Sequence, residues 1–236
     1  MTKKNKQNNI KTQVNNLGFL FWVKWVCSFV WPMRIVSSEN EAEYIELVLY
    51  QGKRLLNSRN ANYSNGNLQL AFKRLFEEVD LSLKNRDNAL VMGFGLGGVS
   101  RLLNTSNSSI KQVGVEHNGT ILHWYKTFEK AIPNVDLVQI DASVFIDSNE
   151  STYQMIVVDL YTDLNVPTKF QSKEFLQKLS DHLTEDGVLI FNKVVITDQQ
   201  KTEANQLMID LSTLFKSVFT NEQLGMNRFL IASNQT

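Results

Sequence analysis

The chain has 236 residues, 43% of them apolar, which is enough to fill a full-sized core and excludes general disorder. Its 24 basic and 24 acidic side chains cancel, so no net field draws it onto nucleic acid, and no nucleic-acid partner is expected. One cysteine, Cys27, excludes an internal disulfide and a cysteine-based metal cluster and fits a reducing, cytoplasmic setting; it reads as a small buried hydrophobe.

Residues 1–33 read as a basic polar tail followed by an aromatic helix. The first 16 residues hold four lysines, no acid and many Asn and Gln, the composition of a solvated tail. Residues 17–33, LGFLFWVKWVCSFVWPM, concentrate three tryptophans and three phenylalanines but are too short and too interrupted for a membrane span. No small-X-small cleavage site marks them as a signal peptide. On a helix Lys24 and Ser28 share a face, leaving Phe21, Trp22, Trp25 and Phe29 opposite, with Pro32 as the stop. This reading favours docking of the aromatic face on the protein or a dimer mate over peripheral membrane contact through 17–33.

Residues 34–80 read as a small antiparallel β region with a connecting helix. Strands are expected at 34–36, 44–50 and 54–57, with Gln51 and Gly52 as the hairpin turn and a helix over 68–79. From 81 to 236 strands and helices alternate. Strands are expected at 89–92, 111–115, 135–140, 155–158, 188–191 and 228–232, and helices around 98–104, 119–131, 171–183 and 200–215. Short apolar strands alternating with helices specify an α/β fold with a mostly parallel sheet covered on both faces, whose ligands sit beyond the carboxyl ends of the strands.

Polar residues collect at those ends. Gly93-Phe94-Gly95-Leu96-Gly97-Gly98 follows the first strand of the repeat and precedes a helix, where glycines let the backbone approach a ligand and the helix start offers free N–H groups. Glu116 ends the next strand, where a carboxylate can hold a ribose diol, as in nicotinamide and S-adenosylmethionine folds. Asp141 and Ala142 follow the third strand. There a carboxylate can reach an adenine amino group or simply cap the helix opening at Ala142. Asp159 ends the fourth strand. His117 lies next to this cleft, whereas His123 and His182 read as structural or surface residues; no metal-ligand spacing appears and no metal is expected.

The hairpin LVLYQGKRLLNSRN, the loop GFGLGGVSRLL, the pair VGVE and IDA, and YQMIVVDLYTD ahead of VPTKF and LTEDGVLIFN resemble the polyamine aminopropyltransferases, and more closely their spermidine synthase-like relatives. The resemblance implies a Rossmann-like class I methyltransferase sheet, mostly parallel with an antiparallel last strand. It also implies a small N-terminal antiparallel β hairpin region and a homodimer. The ligand it implies is S-adenosylmethionine or a related nucleoside, methylthioadenosine or decarboxylated S-adenosylmethionine.

Carried onto this chain, Gly93, Gly95, Leu96 and Gly97 pass the nucleoside, Glu116 holds the ribose, and Asp141 with Ala142 meets the adenine. Asp159 receives or orients the attacking amine as the catalytic residue, with Tyr63, Tyr161 and Asp163 about the small-molecule substrate. The departures are specific. Leu96 stands where the family's GGGDGG loop has its aspartate. Leu55 takes the place of a hairpin glutamine, and Ser64, Asn65 and Gly66 replace a tyrosine, histidine and glutamate cluster that Tyr63 adjoins. The DxxDP pattern becomes Asp159-Leu160-Tyr161-Thr162-Asp163. With these carboxylates lost, the expected reaction is methyl transfer to a small molecule, with aminopropyl transfer to putrescine or a related amine as the alternative and non-catalytic nucleoside binding as a third reading.

Overall fold

The computed structural model describes residues 22–38, 44–58, 66–162, 164–224 and 226–234. It divides into two compact units, one up to Gly66 and one from Asn67 onward.

In the first unit a helix over 22–27 (α1) precedes a three-stranded antiparallel sheet of β1 (Met33–Ser37), β2 (Ile45–Tyr50) and β3 (Lys53–Ser58) in that order. Tyr50 pairs with Lys53, so Gln51 and Gly52 form a two-residue hairpin loop, both at positive φ (50° and 74°), as a type I′ turn requires. Three expectations fail here. α1 ends at Cys27, well before Pro32, because the chain turns at once onto the hairpin: Ser28 accepts the Gln51 N–H at 2.8 Å on its carbonyl and the Gly52 N–H at 3.1 Å on its hydroxyl. Ser28 is thereby fully buried, so it does not share a solvated face with Lys24, and the aromatic side chains are the ones left outside. Cys27, next to it, is exposed rather than buried. Among the described residues no helix is long and apolar enough to cross a membrane.

The second unit opens with α2 (Gly66–Glu78) and then alternates. In order come β4 (Asn88–Met92), α3 (Gly98–Ser106), β5 (Lys111–Glu116), α4 (Gly119–Phe128), β6 (Val135–Gln139), α5 (Ala142–Ser148) and β7 (Tyr153–Val158). α6 (Lys173–Asp181), β8 (Leu183–Val194), α7 (Asp198–Ser212), β9 (Ser217–Gln223) and β10 (Asn227–Ser233) complete it. The sheet order is β6-β5-β4-β7-β8-β10-β9, parallel from β6 to β8, with β10 antiparallel to both β8 and β9. Strand alternation builds two cores. Leu90 and Met92 of β4 face the cluster with Phe145, Leu176 and Leu207 from α5, α6 and α7. Ala89 and Val91 face Phe72 and Leu75 of α2 and Leu103 of α3.

Sequence order turns back at β4: the chain runs outward through β5 and β6, then returns to the other side of β4 as β7. That is the switch point at which α/β sheets open a crevice. The glycine loop fills it, and its glycines serve different ends. A Cβ on Gly93 (φ +85°) would overlap the carbonyl oxygen of Asp159, and one on Gly97 (φ +78°) would stand 2.8 Å from Ile132 Cδ1. Phe94 turns away from the crevice over Gly114, meeting Tyr125 edge to face at 4.9 Å between ring centres. Gly95 (φ +55°) alone of these faces open space, with nothing within 4 Å of its Cβ position. Gly93→Ala is therefore expected to cost several kcal/mol, through overlap and strain together, whereas Gly95→Ala costs about 1–2 kcal/mol for the left-handed backbone alone. Thermal melts of the two variants side by side check this; equal losses would refute the distinction.

Candidate functional site

The carboxyl ends of β5, β4 and β7 bring Glu116, the glycine loop and Asp159 together. Glu116, the last residue of β5, is buried. Its Oε2 accepts the Gly95 N–H at 3.0 Å, its Oε1 accepts the Asn118 N–H at 3.0 Å, and His117 Nδ1 lies 3.3 Å from Oε1. Each carboxylate oxygen has two acceptor positions, so the backbone bonds hold the group still and leave capacity on Oε2, away from His117, for a hydroxyl. Glu116 thus ties the loop to β5 directly below the open face of Gly95. A nucleoside ribose fits this arrangement: acceptors fixed in place beside a cradle that no side chain fills.

Asp159 follows β7, and its N–H bonds the Met92 carbonyl at 2.9 Å, continuing the ladder to β4. Its Oδ1 accepts the side-chain amide of Asn192 on β8 at 2.9 Å. Asn192, itself fully buried, uses its amide oxygen to accept Asn227 Nδ2 of β10 at 3.1 Å. Burial pushes the Asp159 carboxyl up to about 6, aided by the Glu116 charge and opposed by the Asn192 bond. The chain Asn227, Asn192, Asp159 thus runs across three strands and ends at the crevice. The sequence expectation missed both asparagines, although the signal was present: Asn192 interrupts the apolar run VLIF within β8.

Asp141 is the N-cap of α5, accepting the Ser143 N–H at 2.9 Å, while its other oxygen takes the Lys169 ammonium at 2.6 Å. Burial on its own raises this carboxyl, but Lys169 and Ser143 together outweigh it and hold the group at about 2. The capping role is therefore realised, and Lys169, another residue the sequence did not single out, occupies the outward oxygen. Ala142, the first residue of α5, is buried in the core. Leu96 packs with Leu122, Tyr125 and Ile132 beside Phe94.

Tyr161 points its hydroxyl into a buried position close to the Val194 backbone without completing a hydrogen bond. Burial, and next the Asp159 charge, push the phenol well above its ordinary range. Tyr63 and Asp163 lie outside the described residues. His117 is exposed beside Glu116, and His123 is exposed as well. His182 bridges the carbonyls of Lys178 and Asn149 at 2.8 and 2.7 Å, a structural role. Among the described residues no three His, Cys, Asp or Glu side chains converge as a metal site.

The chain is similar to known proteins over this same region. It is 25% identical over 131 residues to a probable polyamine aminopropyl transferase of Bifidobacterium longum, covering 56% of this chain and 29% of that relative. It is 28% identical over 164 residues to a polyamine aminopropyltransferase of Bacillus subtilis, covering 64% and 59%. The matches thus span less than two thirds of either relative. A spermidine synthase solved with the transition-state analogue AdoDATO superposes with a TM-score of 0.71 at 17% identity, over 86% of this chain and 74% of the other, a likeness of fold. The family model described as the spermine/spermidine synthase domain matches residues 73–226. That span is well over half of the chain, and the chain belongs to the spermine/spermidine synthase domain family.

Proposed function

We propose that the crevice binds an S-adenosylmethionine-type nucleoside and that the protein transfers an aminopropyl group from its decarboxylated form to a small amine. The observation that carries this reading is Asp159, a carboxylate with a pKa of about 6, held by Asn192 beside the ribose-type acceptor Glu116. The similarity to the aminopropyl transferases of Bifidobacterium longum and Bacillus subtilis supports the same chemistry.

The donor supplies an electrophilic carbon on a sulfonium, displaced by an amine nitrogen with departure of a neutral thioether nucleoside. An amine attacks only as the free base, and in the transfer its nitrogen must shed a proton. Asp159 can receive that proton. Ionised above pH 6, it takes the proton from the attacking nitrogen and passes it to water. Asn192 fixes the carboxylate's direction and leaves its second oxygen for the amine. Glu116 holds the ribose hydroxyls, Gly95 offers its open face to the nucleoside, and Gly93 and Gly97 set the path of the loop that does so. Asp141 reaches the adenine amino group when Lys169 yields or shares its oxygen, with Ala142 at the same edge. Tyr161, Asp163 and Tyr63 are assigned to the amine substrate, and the protein to a homodimer. Leu96 favours a second reading, methyl transfer from intact S-adenosylmethionine. It puts a hydrocarbon side chain on the loop, so no loop carboxylate there attracts a bare ammonium or repels an amino-acid carboxylate.

Two experiments check these assignments. In the first, protein is incubated with putrescine and either donor, and products are identified by mass spectrometry. Spermidine with methylthioadenosine is expected from the decarboxylated donor; a methylated product from the intact donor alone would transfer the conclusion to the second reading. Leu96→Asp is expected to shift donor preference toward the decarboxylated form by about one to two decades, the worth of one charge-assisted hydrogen bond, read by calorimetry.

The second concerns Asp159→Asn, which keeps shape and one acceptor while removing basicity. Nucleoside affinity is expected to change little while turnover falls by about 100-fold or more, and the wild-type rate should rise with pH through about 6. Stability should move the other way. Because the folded protein raises this pKa from 3.8, its stability contribution is full below pH 3.8 and is lost as pH rises through about 6. Asp159→Asn is accordingly expected to raise the melting temperature by on the order of 2–5 °C at pH 7.5 and to leave it unchanged near pH 3.5. A variant that melts lower at neutral pH would show the ionised carboxylate to be a net structural support instead.

A further inference from the structure

The first 38 residues hold six basic side chains, Lys3, Lys4, Lys6, Lys11, Lys24 and Arg34, and no acid; the first acid of the chain is Glu39. The remaining 198 residues carry 18 basic and 24 acidic side chains. The overall neutrality is thus the sum of a strongly cationic beginning and an acidic remainder. Within the cationic part the structure exposes large apolar side chains one after another: Trp22 is 60% accessible, Val30 84% and Trp31 72%, with Trp25, Val26 and Phe29 also exposed.

This exposure is fixed by local bonding. Ser28 is held inward by the backbone of Gln51 and by the Gly52 N–H, and its own hydroxyl donates to the Trp25 carbonyl at 2.6 Å. Trp25 and Phe29 meet edge to face at 5.0 Å and straddle the hairpin turn, each about 3.3 Å or closer to the Cβ position of Gly52. The segment is therefore mounted on the hairpin turn by Ser28, with its hydrocarbon turned out. Lys24 keeps its ammonium at the border of the patch by donating to the Arg34 carbonyl at 3.1 Å.

We propose that residues 22–31 dock on the surface of an anionic lipid bilayer, the tryptophans and Phe29 seating at the headgroup boundary and the basic residues of 1–38 pairing with anionic headgroups. A shallow apolar wedge alone binds a bilayer weakly, and a basic segment alone does likewise; the two together give stable but reversible attachment. Tryptophan suits the boundary, with an apolar ring and an N–H that can stay wet. A second copy of this chain fits less well, because two such surfaces would bring like charges together. The proposal is independent of the transferase reading.

The patch contains three of the chain's four tryptophans, and the fourth, Trp124, is buried, so intrinsic fluorescence reports the patch directly. The full chain is mixed with phosphatidylcholine vesicles containing roughly a third phosphatidylglycerol and, in parallel, with pure phosphatidylcholine vesicles. Flotation with the anionic vesicles, a blue shift of emission and loss of both at high salt are expected. Val30→Ser with Trp31→Ser should lower the anionic partition by about tenfold or more with an unchanged melting curve, since both side chains are exposed. Lys3→Gln, Lys4→Gln and Lys6→Gln together should lower it without touching the patch. Full recovery of the wild type in the soluble fraction at low salt would overturn the proposal. So would equal binding to both kinds of vesicle, or a dimer that the Val30 and Trp31 double variant converts to monomer while the wild type ignores lipid.

Discussion

The backbone of Gly93 runs against the backbone of Asp159, closer than any side chain would permit, and the arrangement of the crevice depends on that approach. It follows from the sheet order. β7 returns beside β4, so the chain leaving β4 must turn within the width of one strand to clear the chain leaving β7. Only a glycine at positive φ makes that turn at that distance. The same turn carries Phe94 to the α4 side, where Gly114 leaves room for its ring, and thereby swings the Gly95 N–H over Glu116. One steric constraint thus sets the loop path, the orientation of the Glu116 carboxyl and the open face beside it.

The second organising feature is electrostatic. Two carboxylates, Glu116 and Asp159, flank β4, and both are withdrawn from water, so the protein must compensate each differently. Glu116 receives two backbone N–H groups, which hold it rigidly. Asp159 receives one side-chain amide and remains near the point where it gains and loses a proton in neutral solution. The two carboxyl groups therefore sit in different environments, one fixed by backbone donors and the other raised by burial and held by a single amide. Asn192 is central to this, because an amide can serve either protonation state of its neighbour while Asn227 keeps its own oxygen occupied.

What the sequence made legible was whatever depends on periodicity and on strand ends. β4, β5, β6 and β7 lie within two residues of expectation because each carries a short β-rich apolar stretch that stops at a Gly or an acidic residue near the strand end. β9 escaped notice because SVFTNEQ is polar and pairs only with β10 at the sheet edge, where burial imposes no apolar alternation. α5 spans two turns, too few for a helical period to declare itself, although its cap was recognisable in Asp141. Of the candidate site, the convergence of Gly93, Glu116 and Asp159 was readable because they lie at strand ends. Asn192 showed only as a polar break after VLIF, its partner being set by the register between β7 and β8, and Lys169 did not show, since its place arises from the path of a connecting loop.

Ser28 shows how local bonding can overrule an amphipathic pattern. Helical periodicity assigns it to a wet face with Lys24, and hydrophobicity assigns the tryptophans inward. Yet the hairpin turn at Gln51 and Gly52 presents two N–H groups that no strand partner can satisfy, and a serine fits over them where an indole does not. Leaving those donors without acceptors would cost about 1–3 kcal/mol each, comparable to the gain from burying one large apolar side chain. Once the donors are satisfied by Ser28, the helix has only its apolar side left to present outward. The exposed aromatic surface is therefore a consequence of hydrogen-bond satisfaction in the turn.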